Sequence, residues 1–191
     1  MVMGNYSKMP LKEKEILCQN TYTNEILRCA DSLQEYERYA LVGKWEIPPS
    51  CYTNFRDALF HFRKMCNSSE EHEILRQVFA VREHLGRTKT DARITILLMY
   101  AKVAEMLLKR DDINGELKIR FRKLLHKMKN VSMINRIQGM MMSDLVINRF
   151  SDDEISEIVQ EYLDLIQSEC LEQFKEIRDE LNQKGEKIIS I

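Results

Sequence analysis

The chain has 191 residues, of which 44% are hydrophobic and 31% charged, with only 6 glycines and 3 prolines. This length suits one domain or a domain with an appendage, the hydrophobic share excludes a disordered chain, and the scarcity of turn formers excludes a many-stranded sandwich or barrel. The 29 basic and 30 acidic residues nearly cancel, so no global charge draws the whole chain toward nucleic acid.

The inventory narrows the chemistry further. The most apolar stretch, Ile94 to Met99, is far shorter than a membrane span. The opening residues lack the basic-then-apolar layout of a secretory leader. Five cysteines, Cys18, Cys29, Cys51, Cys66 and Cys170, are widely spaced with no C-x-x-C pair. They read as reduced thiols, mostly small core residues. The four histidines form no H-E-x-x-H or Cys/His cluster, and no glycine-rich phosphate loop occurs. The expectation is a cytoplasmic protein with no membrane partner, no metal and no cofactor.

In chain order, Leu11 to Val42 carries apolar residues every three or four positions and predicts a helix. The Lys44–Ser50 segment, with Pro48 and Pro49, breaks it, and Trp45 is expected to pack as an anchor across helix ends. Ser50 or Thr53 is expected to cap a second helix running to about Cys66. Ser68 and Glu71 fit a capping box for a third helix to Leu85. Gly86 offers a stop or kink, with Thr88 or Thr90 restarting a strongly apolar fourth helix to about Lys109. Asp111 to Gly115 is a turn by composition. An amphipathic helix follows through Leu117, Phe121, Leu124 and Met128, and another is expected from Ser132 to Phe150, with Met140–Met142 as adaptable filler. Ser151 and Glu154 form a second capping box. The last helix repeats Ile155, Val159, Tyr162, Ile166, Cys170, Phe174, Ile177 and Leu181 at spacings close to a coiled-coil seam, with a slip near Cys170. These elements predict an all-α protein, a bundle of about six helices with a long amphipathic C-terminal helix. Residues 1–112 form the bundle, and 113–191 a helical extension packed on it as one unit.

Charge is uneven despite its sum. Residues 56–136 hold 18 basic and 10 acidic groups, net +8, while 137–191 hold 5 and 13, net −8. The densest basic run lies between Leu117 and Asn130 and includes Lys118, Arg122, Lys123 and Lys127. Three readings compete: a solvated face or one that pairs with the acidic last helix, a phosphate-binding face, and a face for an oppositely charged protein. The near cancellation of +8 and −8 favours an internal match.

One constellation could carry chemistry. In the second helix, Asp57 and His61 are four apart and share a face, so the carboxylate could orient or charge the imidazole. Arg56 precedes Asp57, and its long side chain could reach the same end. An imidazole beside a guanidinium suits attack by an RNA 2′-hydroxyl on its own phosphodiester, with the histidine moving the proton and the arginine holding the phosphate. No metal is required.

The segment Arg56-Asp57-Ala58-Leu59-Phe60-His61 resembles the motif of the HEPN family of α-helical RNases and RNA-binding modules: Arg, a polar residue, three variable residues, then His. The resemblance implies a helical bundle that forms a homodimer in which two motifs face one another across a composite cleft. It implies Arg56 and His61 as the catalytic pair and Asp57 as the polar orienting residue. A second phrase, Arg82-Glu83-His84-Leu85-Gly86-Arg87, is similar to the helix that faces this motif in some relatives. Two functional expectations stand side by side. One is a metal-independent RNase or RNA-binding module acting as a dimer. The other is a non-enzymatic bundle that mediates protein–protein assembly through its acidic C-terminal helix.

Overall fold

The computed structural model describes residues 7–140 and 152–184, with the backbone alone described at 131–140 and 152–153. It is all-α, as the periodicities require. The elements are α1 (Leu11–Thr21), a π-helical segment (Tyr22–Leu27), α2 (Arg28–Gly43), α3 (Pro49–Asn67), α4 (Glu71–Leu108), α5 (Gly115–Met140), α6 (Asp152–Glu169) and α7 (Leu171–Gln183). No helix among the described residues is long and apolar enough to cross a membrane.

Several boundaries differ from the sequence reading, each for a local reason. The first expected helix is present but passes through a π-helical segment. Its buried positions Thr21, Ile26, Cys29, Leu33, Tyr36 and Ala40 follow spacings of three and four except for the five-residue step across that segment. The wider π turn absorbs one residue and keeps the apolar stripe on one face. Pro49, rather than Ser50 or Thr53, begins α3, because proline lacks the N–H that the first turn leaves unpaired. Ser50 turns its hydroxyl to Asp91 instead.

Gly86 does not break the chain; α4 runs through it as one α-helix. Buried Leu85 and Thr88 on either side hold the helix by packing, which outweighs the roughly 1 kcal/mol propensity deficit of one glycine. Thr88 caps nothing. Its hydroxyl donates to His84 O at 3.0 Å and Cys51 O at 3.3 Å, a mid-helix back-bond shared with the neighbouring helix. The expected Ser68–Glu71 box is also replaced. Ser68 Oγ accepts from Glu70 N at 3.2 Å, while the Glu71 carboxylate accepts from the Ser7 hydroxyl. Of the two helices expected after the Asp111 turn, the described part is continuous: α5 runs through Ser132 to Met140 without a break, capped by Asn114 Oδ1 accepting from Leu117 N at 2.8 Å. Met141, Met142 and Ser151 lie outside the described residues, as does the stretch to Phe150. The expected long last helix parts at Cys170, whose φ of −154° and ψ of 38° leave the helical basin where the apolar repeat slips.

The chain resolves into two compact units: one from residues up to Gln34 with Pro49–Asp91, the other from Glu35–Pro48 with the residues from Ala92 onward. In the first unit one apolar cluster joins Ile26, Cys29, Ala58, Val81 and Leu85, with Phe55 and Phe62 against it. A second joins Met65, Ile74 and Val78, flanked by Met9, Leu17, Cys18 and Cys66.

The second unit has an aromatic core. Tyr100 meets Trp45 and Tyr162 edge-on, each at 5.2 Å, and Phe121 meets Tyr162 at 5.6 Å. Trp45 thus anchors as expected, and it explains the end of α2. Trp45 N donates to Ala40 O at 2.9 Å and Lys44 N to Leu41 O at 3.0 Å, a Schellman pattern. Its left-handed residue is Lys44, with φ 55°. Glycine stands one position earlier because the Trp45 ring lies 2.3 Å from where a Gly43 Cβ would sit.

Candidate functional site

Helices α3 and α4 lie antiparallel along a polar seam within the first unit. Pairs run in opposite chain directions: Ser50 with Asp91, Cys51 O with Thr88, Asn54 with His84, and His61 with Gln77. Asn54 and His61 are seven apart on α3, and Gln77 and His84 seven apart on α4, so each pair occupies one edge of its helix. The apolar stripes of Ala58, Met65, Ile74 and Val81 lie beside them in the core.

The centre of the seam is two stacked imidazoles. His61 and His84 lie with ring centroids 5.2 Å apart and planes 17° from parallel, both half-buried. Gln77 Nε2 donates to Glu73 Oε1 at 2.6 Å, and Gln77 Oε1 faces His61 Nδ1 at 2.6 Å. A carbonyl oxygen only accepts, so His61 Nδ1 carries the hydrogen. Gln77 is itself buried, and its amide is fixed by Glu73. Hydrogen bonds from Arg76 and then Gln77 hold the Glu73 carboxyl below its usual range, so it stays an acceptor. His84 Nδ1 donates in the same way to Asn54 Oδ1 at 3.2 Å. Among the described residues no hydrogen bond occupies Nε2 of either ring. Each is therefore an acceptor when its ring is neutral and a donor when it is charged.

The other nominated motif residues are placed differently. Arg56 is 75% exposed and contacts Asp57 Oδ1 through Nε at 3.2 Å and Nη2 at 3.1 Å. His61 follows Arg56 by five positions, which sets them about 140° apart around the helix. Within one chain no contact joins them among the described residues. Asp57, expected to orient His61, is engaged by Arg56, and Gln77 does the orienting.

The basic run of α5 is partly consumed inside the second unit. Lys127 pairs with Glu161 of α6 at 2.9 Å, and Arg120 with Glu169 at 3.7 Å. Lys129 pairs with Glu105. Arg122 and Lys123 are exposed and Lys118 half-buried. The internal match of basic and acidic segments thus accounts for part of this run. The apolar seam of the last helices is likewise buried within the unit, from Ile155 to Leu181.

His84 entered the sequence pattern only through the Arg82–Arg87 phrase, and Gln77, Asn54 and Glu73 were assigned no role. The signal was there as polar residues repeated at seven on two consecutive helices. It could be read only once the two helices were known to pack antiparallel. Among the described residues no group of three or more His, Cys, Asp or Glu side chains could hold a metal ion. No protein-family model matches the chain, and neither does a curated protein or a solved structure.

Proposed function

We propose that the chain is a HEPN-like helical protein that acts on RNA without a metal ion, as a homodimer. The observation that carries this reading is the Glu73–Gln77–His61 relay, which fixes the proton on His61 Nδ1 and leaves Nε2 as the reactive nitrogen. A general base needs that tautomer held in place before substrate arrives. The His84 ring stacked on His61 stiffens the imidazole plane from the other helix.

In the proposed reaction, His61 Nε2 takes the proton of a ribose 2′-hydroxyl, and the 2′-oxygen attacks the adjacent phosphorus. The bond to the 5′-oxygen breaks, and that oxygen takes up a proton. Charge gathers on the non-bridging oxygens, where a guanidinium binds in a forked contact. Arg56 of the same chain is turned to another side of α3, so a second copy supplies it. Dimerisation is therefore part of the chemistry in this reading. Arg122 and Lys123, exposed on the second unit, would bind phosphate in their own right.

The test is RNA cleavage in the presence of EDTA. His61→Ala and Arg56→Ala each lower the rate by about 10²–10⁴-fold, and unchanged cleavage in both variants refutes the assignment. Gln77→Met keeps the volume of the side chain but removes the acceptor. It lowers the rate while leaving the far-ultraviolet spectrum unchanged.

A second reading is assembly without catalysis. It draws on Leu75 and Phe79 of α4, one turn apart and 52% and 53% exposed. In that case the dimer forms, loses its stability in Leu75→Lys/Phe79→Lys, and no RNA is cleaved.

A further inference from the structure

We propose that Cys18 and Cys66 form an oxidation site, at which a hydroperoxide converts two neighbouring thiols into a disulfide joining α1 to α3. The two sulfurs already touch: Cys66 Sγ–H donates to Cys18 Sγ across 3.5 Å, although the residues are 48 positions apart in the chain. Both are half-buried, whereas Cys29, Cys51 and Cys170 are buried. Bond formation requires the sulfurs to close by about 1.5 Å.

The surroundings hold the pair in register. Residues before α1 are tied to the turn after α3, with Met9 N donating to Ser69 O at 3.2 Å and Glu71 N to Ser7 O at 3.1 Å. Met65, Ile74 and Val78 form the floor beneath the sulfurs. The flexible thioethers of Met9 and Met65 in that environment can adjust to a small movement of α1.

The two thiols have different parts in the reaction. Burial, and then the contact with Cys18, pushes the Cys66 thiol up to about 11, while Lys14 acts in the opposite direction. The Cys66 thiol keeps its proton and directs it at Cys18 Sγ, so the first step falls to Cys18, the sulfur that accepts. The Cys18 thiolate attacks one peroxide oxygen and the O–O bond breaks. This gives a sulfenic acid on Cys18 and a hydroxide or alkoxide that takes up the thiol proton. Cys66 sulfur then attacks the Cys18 sulfur, the S–O bond breaks and water leaves with the Cys66 proton. Two thiols are oxidised by two electrons in total, and one peroxide is reduced to water and an alcohol, or to two waters.

The experiment uses the full chain, treated with hydrogen peroxide or left reduced and then alkylated. The expected product is monomer-linked: two thiols are lost from one chain, and a protease digest contains the peptide of Cys18 joined to that of Cys66. Dithiothreitol reverses it. The oxidised chain melts at least about 5 °C higher than the reduced one, because the unfolded chain is constrained across a long loop. Cys18→Ser and Cys66→Ser each abolish the cross-link and the shift, and their reduced melting points stay near that of the wild type. Bonds to Cys29, Cys51 or Cys170, bonds only between chains, or a stable sulfenic acid on Cys18 with Cys66 still reduced would overturn the proposal.

Discussion

The two units of the chain are both helical, yet they solve the packing problem with different materials. The second is filled by large rings, with Tyr36, Tyr100, Tyr162, Phe121 and Phe174 each nearly or fully removed from water. Its charges are distributed over its surface in pairs such as Lys127–Glu161 and Arg110–Glu176. The first unit has smaller buried side chains, Ala58, Val81, Ile74 and Cys51, and runs a strip of hydrogen-bonded polar groups along one helix seam. It also leaves Phe60, Leu75 and Phe79 at the surface. The difference separates duties. Aromatic burial gives stability, while polar groups fixed at an interhelical edge keep titratable nitrogens accessible.

The largest expected effect tests that contrast directly. Phe121→Ala costs about 3–5 kcal/mol, and Val81→Ala in the first unit costs about half as much, by urea denaturation. Equal losses would break the comparison. Next is Gly43→Ala, which forces a Cβ into the Trp45 ring and destabilises by about 1–3 kcal/mol.

Alkali sharpens the comparison through the tyrosines. Burial raises Tyr36, Tyr100 and Tyr162, and burial followed by the hydrogen bond to Glu35 raises Tyr39 from 10.0 to about 12. Above the ordinary tyrosine value the unfolded chain releases these protons and the folded chain does not. The associated stability is present below pH 10 and is lost as pH rises through the folded values. Urea midpoints should fall over that window, and Tyr39→Phe should flatten part of the fall.

Two smaller effects run the other way. Lys44→Gly relieves the left-handed backbone at the end of α2 and stabilises by about 1 kcal/mol, despite loss of the exposed contact with Asp179. Gly86→Ala, with nothing within 4 Å of the added methyl, stabilises by about 0.5–1 kcal/mol in a thermal melt.

Much of this architecture was legible beforehand, for a physical reason. Helical burial repeats every three or four residues, so Leu117, Phe121, Leu124 and Met128, or Ile155 through Leu181, announce their inward faces locally. The slip near Cys170 marked the break between α6 and α7. Other features were misread because local signals were overruled. Gly86 and Thr88 look like a helix stop and restart, but the apolar contacts of Leu85 and the bond from Thr88 to Cys51 O carry α4 through. Likewise Asp57, four residues before His61, had the right spacing to orient it, and the nearer guanidinium of Arg56 captured its carboxylate.

The sequence by itself determined an all-α chain, the inward face of most helices, the Asp111–Gly115 turn and the opposition of a basic middle to an acidic end. Those properties depend on neighbours within one or two helical turns. Tertiary structure decided which polar groups meet: His61 with Gln77 and His84, Cys18 with Cys66, Lys127 with Glu161. Such pairs depend on how separate helices align, and that alignment is set by the summed fit of their apolar faces rather than by the residues that come together.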